Sequence, residues 1–396
     1  MLVKHILSIA SIISALAGTA TSARVSRQDA LGLRRRTAHE KRNGLVLHKR
    51  STWDAPDGVI SPKVFIVSMF EPEMEPWIEP FGLYAQNITV PGLSPLFPNV
   101  HCDAAGEICQ YTTGESEINA ASSTTALLHS PYFNLTSTFF LIAGIAGANP
   151  HIATTGSVTF AKFAVQVALE YEFVTRELPS NYSTGYIPLG ADAPDQYPGH
   201  IYGSEVFELD DNLRQRAMYL ANLTTLADTA TTQKYRALYD YAPANQPPAV
   251  VGCDVVTSDA YWSGELLAES FGNYTSLISN GSAVYCSTAQ EDNATLEAMV
   301  RAAATGLMDF SRIIVMRTVS DFDRPPKGEA AFTNLLFASQ GGFTPAIDNI
   351  LIAGGMIVKD MLMYWDDTYA PGIKPGNYIG DIFGTLGGIP DFGPGP

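Results

Sequence analysis

An α/β sandwich around a mixed, largely parallel sheet is the fold class this sequence predicts, and three observations carry it. Short apolar runs rich in β-branched and aromatic residues alternate with longer stretches of helical pattern, the order that builds strand-helix layers. Of the 396 residues, 46% are hydrophobic and only 16% charged, the composition of a chain with a large core. No internal repeat or long linker divides the chain, so residues 51–396 are expected to form a single α/β domain.

Residues 63–69 (Lys-Val-Phe-Ile-Val-Ser-Met) read as a buried strand, and Glu71-Pro-Glu-Met-Glu75 starts the turn or helix after it, with acids where a helix N-terminus favours them. Residues 118–130 are rich in alanine, lack Gly and Pro, and predict a helix. Residues 138–143 predict a second buried strand, followed by a small-residue turn at Gly144-Ile-Ala-Gly-Ala148. Residues 158–172 suit one or two strands, and residues 213–241 alternate helical patterning with Thr-rich turns. Residues 250–256 predict a strand, 291–309 a helix, 312–319 a strand ending in Ser320-Asp321, and 335–365 mostly helix.

The N-terminal region has a different character. Residues 1–23 hold an apolar run of signal-peptide length and end on the small residues Thr21-Ser22-Ala23, which predicts a secretion signal. Residues 24–50 carry nine basic residues and close on Lys49-Arg50, which reads as a basic propeptide. The first 50 residues hold ten of the 24 basic residues and two of the 40 acidic ones, so the remainder has a net charge of −24. Such a body repels nucleic acid and anionic membranes. The apolar runs near 139–148 and 350–363 are too short, or broken by Lys359 and Asp360, to cross a bilayer. Four cysteines and seven N-x-Ser/Thr sequons, at Asn87, Asn134, Asn181, Asn222, Asn273, Asn280 and Asn293, lead to the expectation of a secreted, extracellular protein. The spacing of Cys102 and Cys109 suits a small loop disulfide and leaves Cys253 with Cys286, one of three connectivities that remain open.

Several chemistries lack their motifs. There is no G-x-x-x-x-G-K-[ST] phosphate loop, G-x-S-x-G elbow or H-E-x-x-H, and no Cys/His cluster at zinc spacing. The Gly144 turn lacks a third glycine and a helix at the offset a dinucleotide site needs. Carboxylates at strand ends remain, the place where an open α/β sheet builds its site. Glu73 follows the first strand and Asp321 ends the last clear one. Each also has a plain alternative: Glu73 as a solvated acid at a helix N-terminus, Asp321 with Asp323 and Arg324 as a capping cluster.

The order and wording of these segments resemble the nucleoside phosphorylase superfamily, in particular its hydrolytic branch, the methylthioadenosine/adenosylhomocysteine nucleosidases. Lys63-Val-Phe-Ile-Val-Ser-Met-Phe-Glu-Pro-Glu73 resembles that branch's opening strand and acidic turn, and Gly114-Glu-Ser-Glu-Ile-Asn-Ala-Ala the entry to its second helix. Gly144-Ile-Ala146-Gly147 resembles the glycine-rich turn after the central strand, and Ser258-Asp-Ala-Tyr261-Trp262 the segment whose aromatic stacks on the purine. Gln290-Glu291-Asp292-Asn293 resembles the ribose-binding acidic segment, and Met316-Arg-Thr-Val-Ser320-Asp321 the strand that carries the general acid. The matches run from about Lys63 to Asp321 in the family's order, and the whole chain also resembles the fungal proteins named purine nucleoside permeases.

The resemblance implies a nucleoside phosphorylase-like fold and a purine nucleosidase that yields free base and ribose. Asp321 would protonate the departing purine, Glu73 would hold and deprotonate water, and Tyr261 with Trp262 would sandwich the base. Where the family places a glutamate on the sugar hydroxyls, this chain has Asn293, preceded by Glu291 and Asp292, so the amide or Asp292 would take that role. Ser320, Ala146 and Gly147 would complete the substrate contacts. Core aromatics, and acids at a helix N-terminus, are the plain alternatives for these segments. His101, His129, His151 and His200 read as structural, and no metal or cofactor is expected. The resemblance favours a homo-oligomer, a dimer first. Two rivals remain: a phosphorylase, and a non-catalytic nucleoside-binding protein that serves a transporter. Against phosphate stands the absence of basic residues from 70–74 and 139–143, where the phosphorylases place arginines, although a distant Lys or Arg can fold into the pocket.

Overall fold

The computed structural model describes residues 58–393; the expected signal peptide and propeptide lie outside the described residues. In chain order the strands are β1 (Val64–Ser68), β2 (Gln86–Thr89), β3 (Asn99–Cys102), β4 (Ile108–Thr112), β5 (Phe139–Ala148), β6 (Val158–Ala161), β7 (Phe163–Gln166), β8 (Glu170–Glu172), β9 (Tyr186–Pro188), β10 (Val206–Glu208), β11 (Val250–Gly252), β12 (Asp254–Thr257), β13 (Tyr285–Ala289), β14 (Ile313–Phe322) and β15 (Gly380–Asp381). The helices are α1 (Glu71–Ile78), α2 (Glu117–Leu128), α3 (Asp211–Ala221), α4 (Ala230–Arg236), α5 (Glu265–Ile278), α6 (Asp292–Ala304), α7 (Ala331–Leu336) and α8 (Phe343–Met363). Thirteen strands form one mixed sheet, with β8 and β9 paired apart from it.

At the centre β1 lies parallel to both β4 and β5, and β14 lies parallel to β5 along nearly its whole length. Burial on both faces explains why these strands read as continuous apolar runs. Successive side chains point to opposite faces, and the two faces have separate cores. Phe65, Val67, Phe140, Ile142 and Val315 pack with Leu296 and Met299 of α6. Val64, Ile66, Phe139, Leu141, Ile314 and Met316 pack with Trp77 of α1 and with Ile350 and Ile357 of α8. Helices on both faces of a largely parallel sheet make the α/β architecture that the sequence predicts.

Four local expectations are corrected. Residues 144–148 are not a turn but the second half of β5; the glycines serve close approach rather than reversal, as the site below makes plain. Residues 250–256 form two strands, because at Cys253 the chain leaves β6 and joins β7 and β13. The helix from 291 stops at Ala304, with Gly306 at φ 77° just beyond it. The helical region from 335 is interrupted at Gly341-Gly342: a Cβ on Gly342 would lie 2.2 Å from the Ser320 carbonyl oxygen, so the chain must pass there as glycine. The disulfides are Cys102–Cys109, across a directly opposed β3–β4 pair, and Cys253–Cys286.

Candidate active site

The site arises from a gap in strand pairing. One edge of β5 is occupied by β14 from Phe140 to Ala148. On the other edge β1 pairs as far as Ile142, and β13, running antiparallel, pairs only with Gly147 and Ala148. The carboxyl ends of β1 and β13 therefore point at one another across residues 143–146, which have no ladder partner on that edge. A cavity of about 330 Å³ opens there, within the size range of small-molecule sites.

Glu73 fills the gap from the β1 side. It sits in the first turn of α1 and is 1% exposed. Its Oε2 accepts the Met69 N–H at 2.8 Å and its Oε1 accepts the Ile145 N–H at 2.7 Å, so the carboxylate takes an amide that an adjacent strand would otherwise bind. Burial pushes the carboxyl up to about 8 against the pull of the Arg317 guanidinium, with Glu291 adding to the rise. Arg317 completes the pattern by donating to the Ile145 carbonyl at 3.0 Å. Gly144 is what permits this: a Cβ there would lie 2.4 Å from Met69 Cε, 2.7 Å from Arg317 Nη1 and 2.8 Å from Glu73 Oε1.

Arg317 is buried and four of its five N–H donors are bonded. Its guanidinium reaches Asp292 at 2.7 and 3.1 Å and Glu291 at 3.2 Å, besides the Ile145 carbonyl. Glu291 also accepts the Ser116 N–H at 3.0 Å, and its carboxyl is raised by burial, with Arg317 opposing. One buried cation thus faces three buried carboxylates, Glu73, Glu291 and Asp292.

The opposite wall is built on a β-bulge. Register slips between Val319, opposite Ala146, and Asp321, opposite Gly147, so Ser320 is the extra residue. Neighbours in a regular strand face opposite ways, whereas here Ser320 and Asp321 both line the cavity. Ser320 Oγ donates to the Ala146 carbonyl at 3.1 Å. Asp321 lies over Gly147, where a Cβ would be 2.7 Å from its Oδ1. Trp262 forms part of the adjacent wall, edge-on to Phe271 at 4.9 Å, while Tyr261 sits at the rim, 64% exposed.

Of the residues singled out from the sequence, Glu73, Asp321, Tyr261, Trp262, Glu291, Ser320 and Ala146 line this cavity. Gly147 lies behind Asp321, and Asp292 lies behind Arg317. Asn293 is elsewhere: its side chain accepts from Thr257 Oγ1 at 2.8 Å and donates to the carbonyls of Ser204 and Glu205 at 2.9 and 3.2 Å. It braces three segments beneath α6, where its neighbours saturate it, and Glu291 is the member of that run that reaches the cavity. Arg317 was not picked out as a site residue, although an arginine inside the apolar run Ile-Ile-Val-Met-Arg-Thr-Val was a legible signal, since a buried guanidinium requires carboxylates around it. Asp323, which the sequence offers only as part of a capping cluster, also lines this wall, and Tyr285 stands behind it without a signal in the sequence. Among the described residues no group of three or more His, Cys, Asp or Glu could hold a metal ion.

Comparison with known proteins adds names to this geometry. Solved structures similar to the chain include the 5′-methylthioadenosine/S-adenosylhomocysteine nucleosidase of Neisseria meningitidis, 14% identical, covering 76% of this chain and 100% of its own, with a TM-score of 0.46. The futalosine hydrolase of Helicobacter pylori is likewise 14% identical, covering 75% and 98%, with a TM-score of 0.44. Among curated relatives, a purine nucleoside permease of Candida albicans is 49% identical over 87% of this chain and 86% of its own length. A probable purine nucleoside permease of Schizosaccharomyces pombe is 40% identical over 78% of this chain and 91% of its own. These names correct the expectation of a secreted, extracellular protein, because a permease is by name a membrane transporter. Among the described residues no helix is long and apolar enough to cross a membrane. With the family model for purine nucleoside permease (NUP) matching residues 61–374 as well, the chain belongs to the purine nucleoside permease family.

Proposed function

We propose that this chain hydrolyses the N-glycosidic bond of purine nucleosides, the ligand class in its relatives' names. The observation that carries the reading is the placement of Glu73 and Asp321 on one cavity in contrasting settings. Glu73 is sealed and pushed up to about 8, in the range of a base that works near neutral pH, and Asp321 stands on the bulge beside the aromatic wall. Glu73 takes a proton from water as the water oxygen bonds to C1′ of the sugar. The bond from C1′ to the purine breaks, its electron pair goes to the base, and Asp321 supplies the proton that makes the base a neutral leaving group. Glu291, beside Arg317, accepts hydrogen bonds from the sugar hydroxyls, and Tyr261 with Trp262 flanks the base.

Charge argues for water over phosphate. Among the described residues lining the cavity Arg317 is the sole basic one, and four of its five N–H donors are bonded to Asp292, Glu291 and a carbonyl. A phosphate dianion would find one remaining N–H of that guanidinium and three carboxylates around it, too little to hold it. The family name favours a second reading, a nucleoside binder that feeds transport without chemistry. Incubation of the purified chain with inosine and with adenosine separates the two: release of free base supports the hydrolase, and tight binding with every nucleoside recovered intact supports the binder. The homo-oligomer, dimer first, belongs to the same proposal and is tested by light scattering.

A further inference from the structure

We infer that Tyr285, which the proposed chemistry does not use, is a positioning residue that locks the aromatic wall to the strand end bearing Asp321. The inference rests on the nucleosidase reading and concerns how that site is held in register. Trp262 donates its indole N–H to the Tyr285 hydroxyl at 3.1 Å, and that hydroxyl donates to Asp323 Oδ2 at 2.5 Å. Asp323 follows Asp321 by two residues, is buried, and is held by Arg324 through Nε at 2.9 Å and Nη2 at 3.1 Å. Arg324 continues to Glu265, the first residue of α5, at 3.0 Å. The backbone repeats the tie, with the Gly264 N–H on the Asp323 carbonyl at 2.8 Å.

Segments 261–265 and 321–324 are therefore tied directly at Gly264–Asp323 and Glu265–Arg324, whereas the Trp262 ring is tied to the strand end through one phenolic oxygen. That oxygen accepts from the wall and donates to the acid-bearing strand, a pairing that neither a phenyl ring nor an aliphatic side chain can reproduce. Tyr285 stands on β13, 7% exposed, and does not line the cavity, so it acts through Trp262 and Asp323 rather than on the substrate. Proton transfer from Asp321 requires the base to sit within hydrogen-bond reach, and small misplacements are costly in rate. A wall free to shift against Asp321 would weaken purine binding and slow the chemistry together.

Tyr285→Phe keeps the ring and removes the tie between the Trp262 indole and Asp323, leaving the Gly264–Asp323 and Glu265–Arg324 bonds in place. Expected are a rise of about tenfold in the Kd for free purine and a fall of about tenfold in kcat, the size of one lost buried hydrogen bond to a charged group. Trp262→Phe cuts the same chain from the other end, so Tyr285→Phe introduced into that background should change neither value further. A merely structural Tyr285 would instead lower Tm and leave Kd and kcat per folded molecule at their wild-type values, which overturns the inference; so do losses that multiply in the double variant. If Tyr285→Phe fails to fold, Trp262→Phe with wild-type Kd for free purine overturns it alone. Wild-type protein that binds no purine, or releases no base, defeats the nucleosidase reading itself.

Discussion

Replacing Glu73 with glutamine preserves the length of the side chain and removes its capacity to take a proton. The wild-type carboxylate offers an oxygen to each of two buried N–H groups, Met69 at 2.8 Å and Ile145 at 2.7 Å. Glutamine has one oxygen and one NH₂, so one of those amides meets a donor, which costs about 1–3 kcal/mol of stability. Loss of a general base lowers the rate by about 10²–10⁴-fold, well beyond what that stability loss would produce in a folded enzyme. The pH profile supplies a second handle. With the carboxyl near 8, roughly one-tenth of the enzyme has Glu73 in the basic form at pH 7; because Asp321 must hold its proton at the same time, the slope of log kcat/KM against pH should fall by one unit on passing through 8. The assay is release of free hypoxanthine from inosine between pH 5.5 and 9.5. Retention of more than a tenth of the wild-type rate by Glu73→Gln, or a wild-type profile whose slope does not change near pH 8, would refute Glu73 as the base.

Asp321→Asn keeps the shape of the acid and removes its proton, so kcat should fall about 10²–10⁴-fold while the Kd for free purine stays within about tenfold; a near wild-type rate on inosine removes Asp321 from the mechanism. Asn293→Ala strips partners from Thr257 and two carbonyls and should cost about 1–3 kcal/mol in chemical denaturation with KM unchanged, whereas a raised KM would return Asn293 to the sugar. The Glu73 carboxyl lies above its unfolded value of 4.5 because burial disfavours its charge, so the folded state holds the proton more tightly. The stability it contributes is present below about 4.5 and lost as pH rises through 8, and the stability of Glu73→Gln, followed by chemical denaturation across that window, should fall less steeply than that of wild type.

The central strands were legible because burial on both faces writes an unbroken apolar run, as in Val64–Ser68. That Glu73 and Asp321 line one cavity was legible because they stand at the ends of such runs. The 144–148 segment was misread because glycine marks both reversal and close approach, and only the Met69, Arg317 and Glu73 atoms crowded over Gly144 distinguish the two. Asn293 was misread for a different reason. Acids and amides at the start of α6 alternate between cavity and core, and the phase of a single turn decides which residue faces which. Strands such as β2 and β3 are short and half-exposed, with little hydrophobic period to read. The bulge at Ser320 and the link through Tyr285 are products of register, and register is set by pairing partners far away in the chain.

The identity of the nucleophile tests the account most directly. Purified protein and inosine are mixed in buffer freed of phosphate, and again with phosphate in excess, and the sugar product is identified in each. Three carboxylates around the one buried Arg317 predict equal rates of hypoxanthine release in both, with ribose as the sugar product. Product that forms only with added phosphate, as ribose 1-phosphate, would contradict it.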